Sequence, residues 1–354
     1  MTELSAYHQN MGALLAADGI PLHYGDLGAE YHAAFDGAIL LDRSHEGRIV
    51  LEGDSRFDLV NRMSTNDLLG MSPFEGRPTV FTNANARIQF RAMCYNLPEG
   101  LLMISEPGQG GGLGDYLRRN IFFGDKVAVR DQSLTTSQFA IHGLKAQRII
   151  EQVGVELPPP ADYFAYELNL GHAAATAARR RSIIGQHWIV ICPAASATAI
   201  HRQILDLGQS IELRPAGSLA YNLLRIRGGS PAGLELSSEY IPLEVGLWDE
   251  VSFEKGCYTG QEIIARMESR QRLAKVMVRL ELEHPLTAPT IIYSDGKECG
   301  KLTSSAESPD GEIFALAVLK TASARPGTQL EVGDAGSPAR VRDYAGAQPA
   351  FITD

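Results

Sequence analysis

The chain has 354 residues, 44% apolar and 21% charged, which suits a soluble protein of two or three domains and excludes a disordered or fibrous one. Its net charge of -10 argues against a surface that coats nucleic acid or anionic membrane, although a local basic pocket can still hold an anion. The 4 cysteines, Cys94, Cys192, Cys257 and Cys299, show neither CxxC nor zinc-finger spacing, so no disulfide framework is expected and a reducing cytoplasm fits better.

The first residues lack a basic region followed by an apolar run, so no signal peptide is read. EYHAAFDGAILLD, from residue 30, is predicted as a helix ending at Gly37 and passing into an extended apolar segment. GRIVLEG alternates at period 2 and reads as a half-buried strand. Asp54 is placed to cap the helix SRFDLVNRMS. RPTVFTNANARIQFRAMCYNLPEGLLMISE reads as three strands with turns at Asn83–Ala86 and Pro98–Gly100. GQGGGLG at 108–114 lacks the context of a nucleotide loop and is read as a flexible loop opening the helix DYLRRNIF.

A second mixed unit follows. KVAVRD and TSQFAIHG read as strands, and LKAQRIIEQVG as a helix ended by Gly154. PPPAD at 158–162 is a turn or short linker, and RRR at 179–181 a solvated turn entering a strand. The most apolar stretch, WIVICPAASATAI at 188–200, is shorter than the ~20 residues of a membrane span. Pro193 divides it into a strand and a helix start, and the helix is closed by Gly208. Strands and helices without regular alternation argue for α+β. Beyond Leu273 come only short strands and turns, read as a small all-β barrel or sandwich. The domains are thus expected at 1–272, with subdomains of roughly 1–130 and 131–272, and at 273–354.

KGCYTGQE at 255–262 carries the chemistry. Thr259 and Glu262 have the spacing of a capping box, with Tyr258 and Ile263 as its apolar staple, so a helix is expected from Gly260 to about Arg270. Cys257 then sits before a helix N-terminus, where the dipole favours a thiolate. Lys255 adds to that effect, while Glu250 and Glu254 oppose it. An inert, buried cysteine is the competing reading. Arg266 and Arg270 share a face with Glu262, and Glu262–Arg266 is an i,i+4 pair. These arginines face solvent, or receive a carboxylate tail or a partner's acidic surface.

The octapeptide KGCYTGQE resembles the signature of the YgfZ-type branch of the glycine cleavage T-protein (GcvT) superfamily. DRSHEGRIVLEG, STNDL, PAGSLAYNLLRIRGGSP, IPLEVGLWDEVSFEKGCYTGQEIIARM and LTSSAESPDGEIFALAVLK resemble segments of the superfamily along nearly the whole chain. The resemblance implies a ring of subdomains around a central channel for tetrahydrofolate or a folate-like ligand, followed by the barrel. It implies a cytoplasmic role in assembling or maintaining iron–sulfur clusters in other proteins, with carrier or client proteins as partners. Cys257 is then the functional residue and the one metal ligand, supplying one ligand of a transient 2Fe–2S cluster shared with a partner. Lys255, Tyr258, Gln261, Glu262, Arg266, Arg227 and Glu244 are the residues expected around the ligand.

Two departures from the family pattern bear on the alternative, a tetrahydrofolate-dependent aminomethyltransferase or methyltransferase. Phe90 and Arg91 stand where the transferases carry a carboxylate pair, and neither can accept a proton from an amine. Arg227, in LRIRGG, replaces a Glu that pairs with the donor edge of the pterin, and guanidinium is donor-only. Either another acid makes that match or the ligand is not an ordinary folate; the competing reading is that Arg227 turns outward and the pocket is vestigial.

Overall fold

A computed structural model describes residues 2–153 and 163–353. The expected end of a helix at Gly154 and the linker at 158–162 lie outside the described residues. Contacts divide the chain into two compact units that are discontinuous in sequence: Met1–Val60, Leu68–Arg77 and Ala92–Leu224 form the first, and Asn61–Asp67, Pro78–Arg91 and Arg225–Asp354 the second.

The first unit holds a six-stranded sheet in the order Ala165–Leu170, Ala173–Arg179, Gln186–Pro193, Thr136–Gly143, Ala38–Asp42 and Leu213–Ala216. Neighbours are antiparallel except Leu213–Ala216, which runs parallel to Ala38–Asp42. Phe139, Ile141, Trp188 and Val190 of this sheet bury their side chains with Ile149 of the helix Ala146–Gln152 and Ile200 and Ile204 of the helix Ala197–Leu207. The latter helix stops at Gly208, as its sequence predicts. The pair Ala165–Leu170 and Ala173–Arg179 escapes sequence reading because AAATAAR has helical rather than strand propensity. Pairing with a neighbour on each side overrides that local preference.

The first unit also contains the strands Gly100–Pro107, Glu46–Glu52 and Ala128–Asp131 of a five-stranded sheet, whose other members are Gly76–Thr82 and Ile88–Leu97. Glu46–Glu52 is buried on both faces up to Leu51, not on alternate residues. The helix Gly110–Arg119 covers it, and here the glycine run is no loop: Gly110 to Gly112 form the helix's first turn. A Cβ on Gly47 would stand 2.3 Å from the Gly110 Cα, so the two backbones meet where neither residue has a side chain.

The second unit closes a six-stranded barrel in the order Lys275–Leu282, Ile313–Lys320, Lys297–Glu307, Thr290–Ser294, Gln329–Val332 and Ser337–Tyr344. Val276, Val278, Leu302, Leu319, Leu330 and Val341 fill its core. Tyr258, Ile264 and Leu243, from the segment before the barrel, belong to the same cluster. No helix among the described residues is long and apolar enough to cross a membrane.

Candidate functional site

Four residues pin the turn around Cys257 within the second unit. Lys255 is 9% exposed, and its Nζ donates to the carbonyls of Asn61 at 2.6 Å, Ser64 at 2.9 Å and Asn66 at 2.6 Å. Asn61 lies in the last turn of the helix Arg56–Met63, where unpaired carbonyls and the helix dipole favour a cation. Burial pulls the Lys255 ammonium down to about 8, against the nearby Asp67 charge, which raises it. Tyr258 is buried in the barrel core with its ring 5.2 Å from that ammonium. Gln261 Nε2 donates to the Lys255 carbonyl at 3.4 Å. Gly260 has φ +86°, and a Cβ there would fall 2.7 Å from the Asn83 carbonyl and 2.9 Å from the Ala86 Cα. Only glycine fits that conformation and that approach.

Cys257 is exposed on this turn, whereas Cys94, Cys192 and Cys299 are buried. Burial pushes the Cys192 thiol up to about 12 and raises those of Cys94 and Cys299. No group of three or more His, Cys, Asp or Glu side chains able to hold a metal exists among the described residues.

One expectation about this turn needs correction. The capping box does not form: the helix is Gln261–Ser269, Gly260 is its N-cap, and no side chain caps it. Thr259 instead presents its carbonyl to the Thr82 hydroxyl at 2.6 Å, and the docking of Gly260 against Asn83 and Ala86 moves the helix start one residue on. Lys255 spends its three donors on backbone carbonyls, which fixes its ammonium in place beside the turn. Glu262 is exposed and pairs with Arg266 at 2.8 Å, on the helix's solvent face.

The other expected residues lie in different settings. Arg227 is exposed, with its guanidinium 5.7 Å from the Phe314 ring centre. Arg225, two residues earlier, is the buried one, paired with Glu235 at 3.1 Å and donating to Ser304. Glu244 is 4% exposed, and its Oε2 accepts from the Ile241 N–H at 3.2 Å and faces Arg87 Nη1 at 3.5 Å. Burial raises its carboxyl above the usual range, while that N–H, Lys275 and Arg87 pull the other way. Its Oε1 accepts no hydrogen bond among the described residues. Arg91 binds the buried Glu250 through both oxygens, with Nε 2.9 Å from Oε2. Glu250, read as opposing a thiolate at Cys257, is thus neutralised. Phe90 is half-buried beside Arg91 on the strand Ile88–Leu97.

The first unit carries a polar cluster that sequence reading missed. Glu46 is buried, with Arg43 Nε at 2.8 Å, Arg180 Nη1 at 2.8 Å and Gln138 Nε2 at 2.6 Å. Burial would raise its carboxyl, but Arg43 and Arg180 outweigh that and hold it down at about 2. Arg180 is therefore no solvated-turn residue; it turns inward to a buried charge. Arg43 also stacks on Tyr221, 4.2 Å from the ring centre, and His142 lies against His187 with ring centres 3.8 Å apart. Burial keeps both imidazoles neutral, well below their usual range.

An α+β body followed by a closed six-stranded barrel defines the class of the protein. Residues 8–255 match the GCVT N-terminal domain and residues 275–344 the glycine cleavage T-protein C-terminal barrel domain. The chain belongs to the glycine cleavage T-protein family. It is 29% identical over 326 residues to a chloroplastic protein of Arabidopsis thaliana named as a candidate transferase, covering 91% of this chain and 74% of that one. It is 27% identical to an aminomethyltransferase of Chlorobium phaeovibrioides, covering 99% of both chains. The crystal structure of aminomethyltransferase T from Bartonella henselae has the same fold, with a TM-score of 0.83 at 19% identity over 96% of both chains.

Proposed function

We propose that the chain is a YgfZ-type member of this family, an accessory protein for assembling or repairing iron–sulfur clusters in other proteins. It acts through Cys257 beside a folate-type ligand. The observation that supports this reading is the contrast among the cysteines: three are buried and one is exposed on a turn anchored by Lys255, Tyr258 and Gly260. Neither the clamp nor the apolar anchor engages the thiol, which leaves Cys257 free to meet a partner. A 2Fe–2S cluster takes four ligands, usually thiolates. Cys257 supplies one, and a carrier or client protein with a small thiol supplies the rest.

The side chains present fit a pterin at one place and not at another. Arg227 is exposed and donor-only, so it does not make the carboxylate's match. Glu244 is a buried carboxylate with one oxygen open to a donor, and we assign it that role. Its raised carboxyl should make ligand binding weaken on acidification sooner than an ordinary carboxylate would.

A second reading, a folate-dependent aminomethyltransferase or methyltransferase, is favoured at the level of the family by the aminomethyltransferase relatives. The Arg91–Glu250 pair weighs against it. A cation already bound to a buried acid stands where the transferases place an acid that meets the amine.

One experiment separates the two. Wild type and Cys257→Ser are compared in a strain lacking the protein, reading the activity of cluster-dependent enzymes, and the purified protein is assayed for one-carbon transfer to tetrahydrofolate. The first reading expects loss of cluster-enzyme activity in Cys257→Ser and no transfer by the wild type. Transfer by the wild type that survives Cys257→Ser would reverse it.

A further inference from the structure

A cavity of about 780 Å³ opens in the second unit where the helix Gln261–Ser269 meets the start of the barrel. Arg266, Arg270, Arg272, Lys275 and Lys320 line it. Met267, Leu273, Phe351 and Ile352 form its apolar part. No Asp or Glu stands among its lining residues, in a chain whose net charge is -10. Three of the cations have partners: Arg266 pairs with Glu262, Lys275 lies 5.2 Å from the Tyr240 ring centre, and Lys320 donates to the Glu298 carbonyl at 2.7 Å. Arg270 and Arg272 are exposed and make no side-chain hydrogen bond or ion pair among the described residues.

Unpaired like charges gathered over an apolar floor repel one another and raise the energy of the free protein. A chain segment carrying several carboxylates and an apolar side chain relieves both. Its carboxylates meet planar guanidinium groups suited to bidentate pairing, and its apolar group covers Met267 and Phe351. Clustered arginines are a recurrent device for reading acidic motifs. The size lies within the range of pockets that enclose a compact ligand or a few residues.

We propose that this pocket docks an acidic, apolar-anchored segment of a partner protein. The helix Gln261–Ser269 has 9 residues, about 14 Å at 1.5 Å per residue. It starts four positions after Cys257, so a partner held at its far end brings its surface to the thiol. Docking itself does not depend on the chemistry assigned to Cys257, and its test omits that chemistry.

The test is anisotropy of a short labelled peptide with alternating Glu and Leu, titrated with the whole chain. Wild type should bind it, and Arg270→Glu/Arg272→Glu should weaken binding about tenfold or more. Reversal of Arg340 and Lys301, barrel cations outside the pocket, should leave it within twofold. Cys257→Ser should bind as wild type does, so a failed thiol reading and a failed docking proposal stay distinguishable. Raising salt from about 0.1 M to 1 M shortens the Debye length from roughly 10 Å to 3 Å and should release the peptide. If the double reversal fails to fold, Arg270→Gln/Arg272→Gln replaces it, with a smaller loss expected. Equal binding by wild type and pocket variant, or none by either, overturns the proposal. So does equally tight binding of free γ-linked oligoglutamate, which would assign the pocket to a small ligand. Self-association of the chain abolished by the same reversal would also overturn it, in favour of a second copy.

Discussion

The turn around Cys257 and the cluster around Glu46 both bury ionic side chains, and they use them in opposite ways. Glu46 is surrounded: Arg43, Arg180 and Gln138 fill both of its oxygens. At the turn, Lys255 is the buried charge, spent on three carbonyls, and the thiol beside it is left exposed. A buried carboxylate whose oxygens are both taken by the chain's own donors specifies a fold. An anchored turn with a free thiol presents a group to something else. Function in this molecule is therefore to be sought where satisfied side chains stop, not where charges are densest.

The largest expected effect separates the two regions outright. Cys257→Ser should abolish support of cluster enzymes while changing stability by less than about 0.5 kcal/mol, as exposed substitutions usually do. Glu46→Gln should do the reverse. It leaves two arginines facing a neutral group, and breaking a buried pair costs roughly 3–5 kcal/mol. Urea unfolding of both variants decides, and a destabilised Cys257→Ser would erase the contrast.

Acid should expose the same asymmetry. Glu46 falls from an ordinary 4.5 to about 2 in the folded chain, after burial's opposing effect. A depressed carboxyl contributes stability above its unfolded value and loses it as pH falls through the folded one. That contribution, on the order of 3 kcal/mol at 1.36 per unit, should disappear between about pH 4.5 and 2. Glu46→Gln should show a correspondingly shallower loss over that window. Parallel curves for the two proteins would mean Glu46 is not the group responsible.

Lys255→Met sharpens the other side. Three carbonyls lose their donor, which costs roughly 2–3 kcal/mol if about one apiece is lost. The turn should loosen, and alkylation of Cys257 should become faster. Were Lys255 acting on the thiol by charge, alkylation would slow instead. Mass-spectrometric rates for all four cysteines measure this. They also test whether Cys257 is the fastest in the wild type, as its exposure requires.

The barrel was legible in the sequence because its strands are short, apolar and separated by turn residues; the stops at Gly37 and Gly208 were legible for a similar local reason. The octapeptide announced the turn. What could not be read is what depends on distant chain. Arg91 and Glu250 are 159 residues apart, and Arg180 and Glu46 are 134 apart. Gly110 became helical because Gly47 meets it, and Ala173–Arg179 became a strand because two neighbours pair with it. Local propensity loses in each case to tertiary packing.

The smallest effect is the most direct check on how the helix after Cys257 begins. Thr259 and Glu262 have the spacing of a capping box, yet Gly260 occupies the cap and Glu262 reaches forward to Arg266. Both members of that pair are at least half exposed, at 50% and 86%. Such a pair gains little, because water screens it and two long side chains must be ordered. Glu262→Ala should therefore change stability by less than about 0.5 kcal/mol. A working cap would lose about 1 kcal/mol or more. Thr259→Ala should be equally mild, since its carbonyl, not its hydroxyl, is what Thr82 holds. Gly260→Ala should be the costly change of the three, at roughly 1–3 kcal/mol, because it adds a Cβ to a left-handed residue pressed against Asn83 and Ala86. If Thr259→Ala proves worse than Gly260→Ala in urea unfolding, the helix begins as its sequence suggested, and the turn that presents Cys257 is built differently.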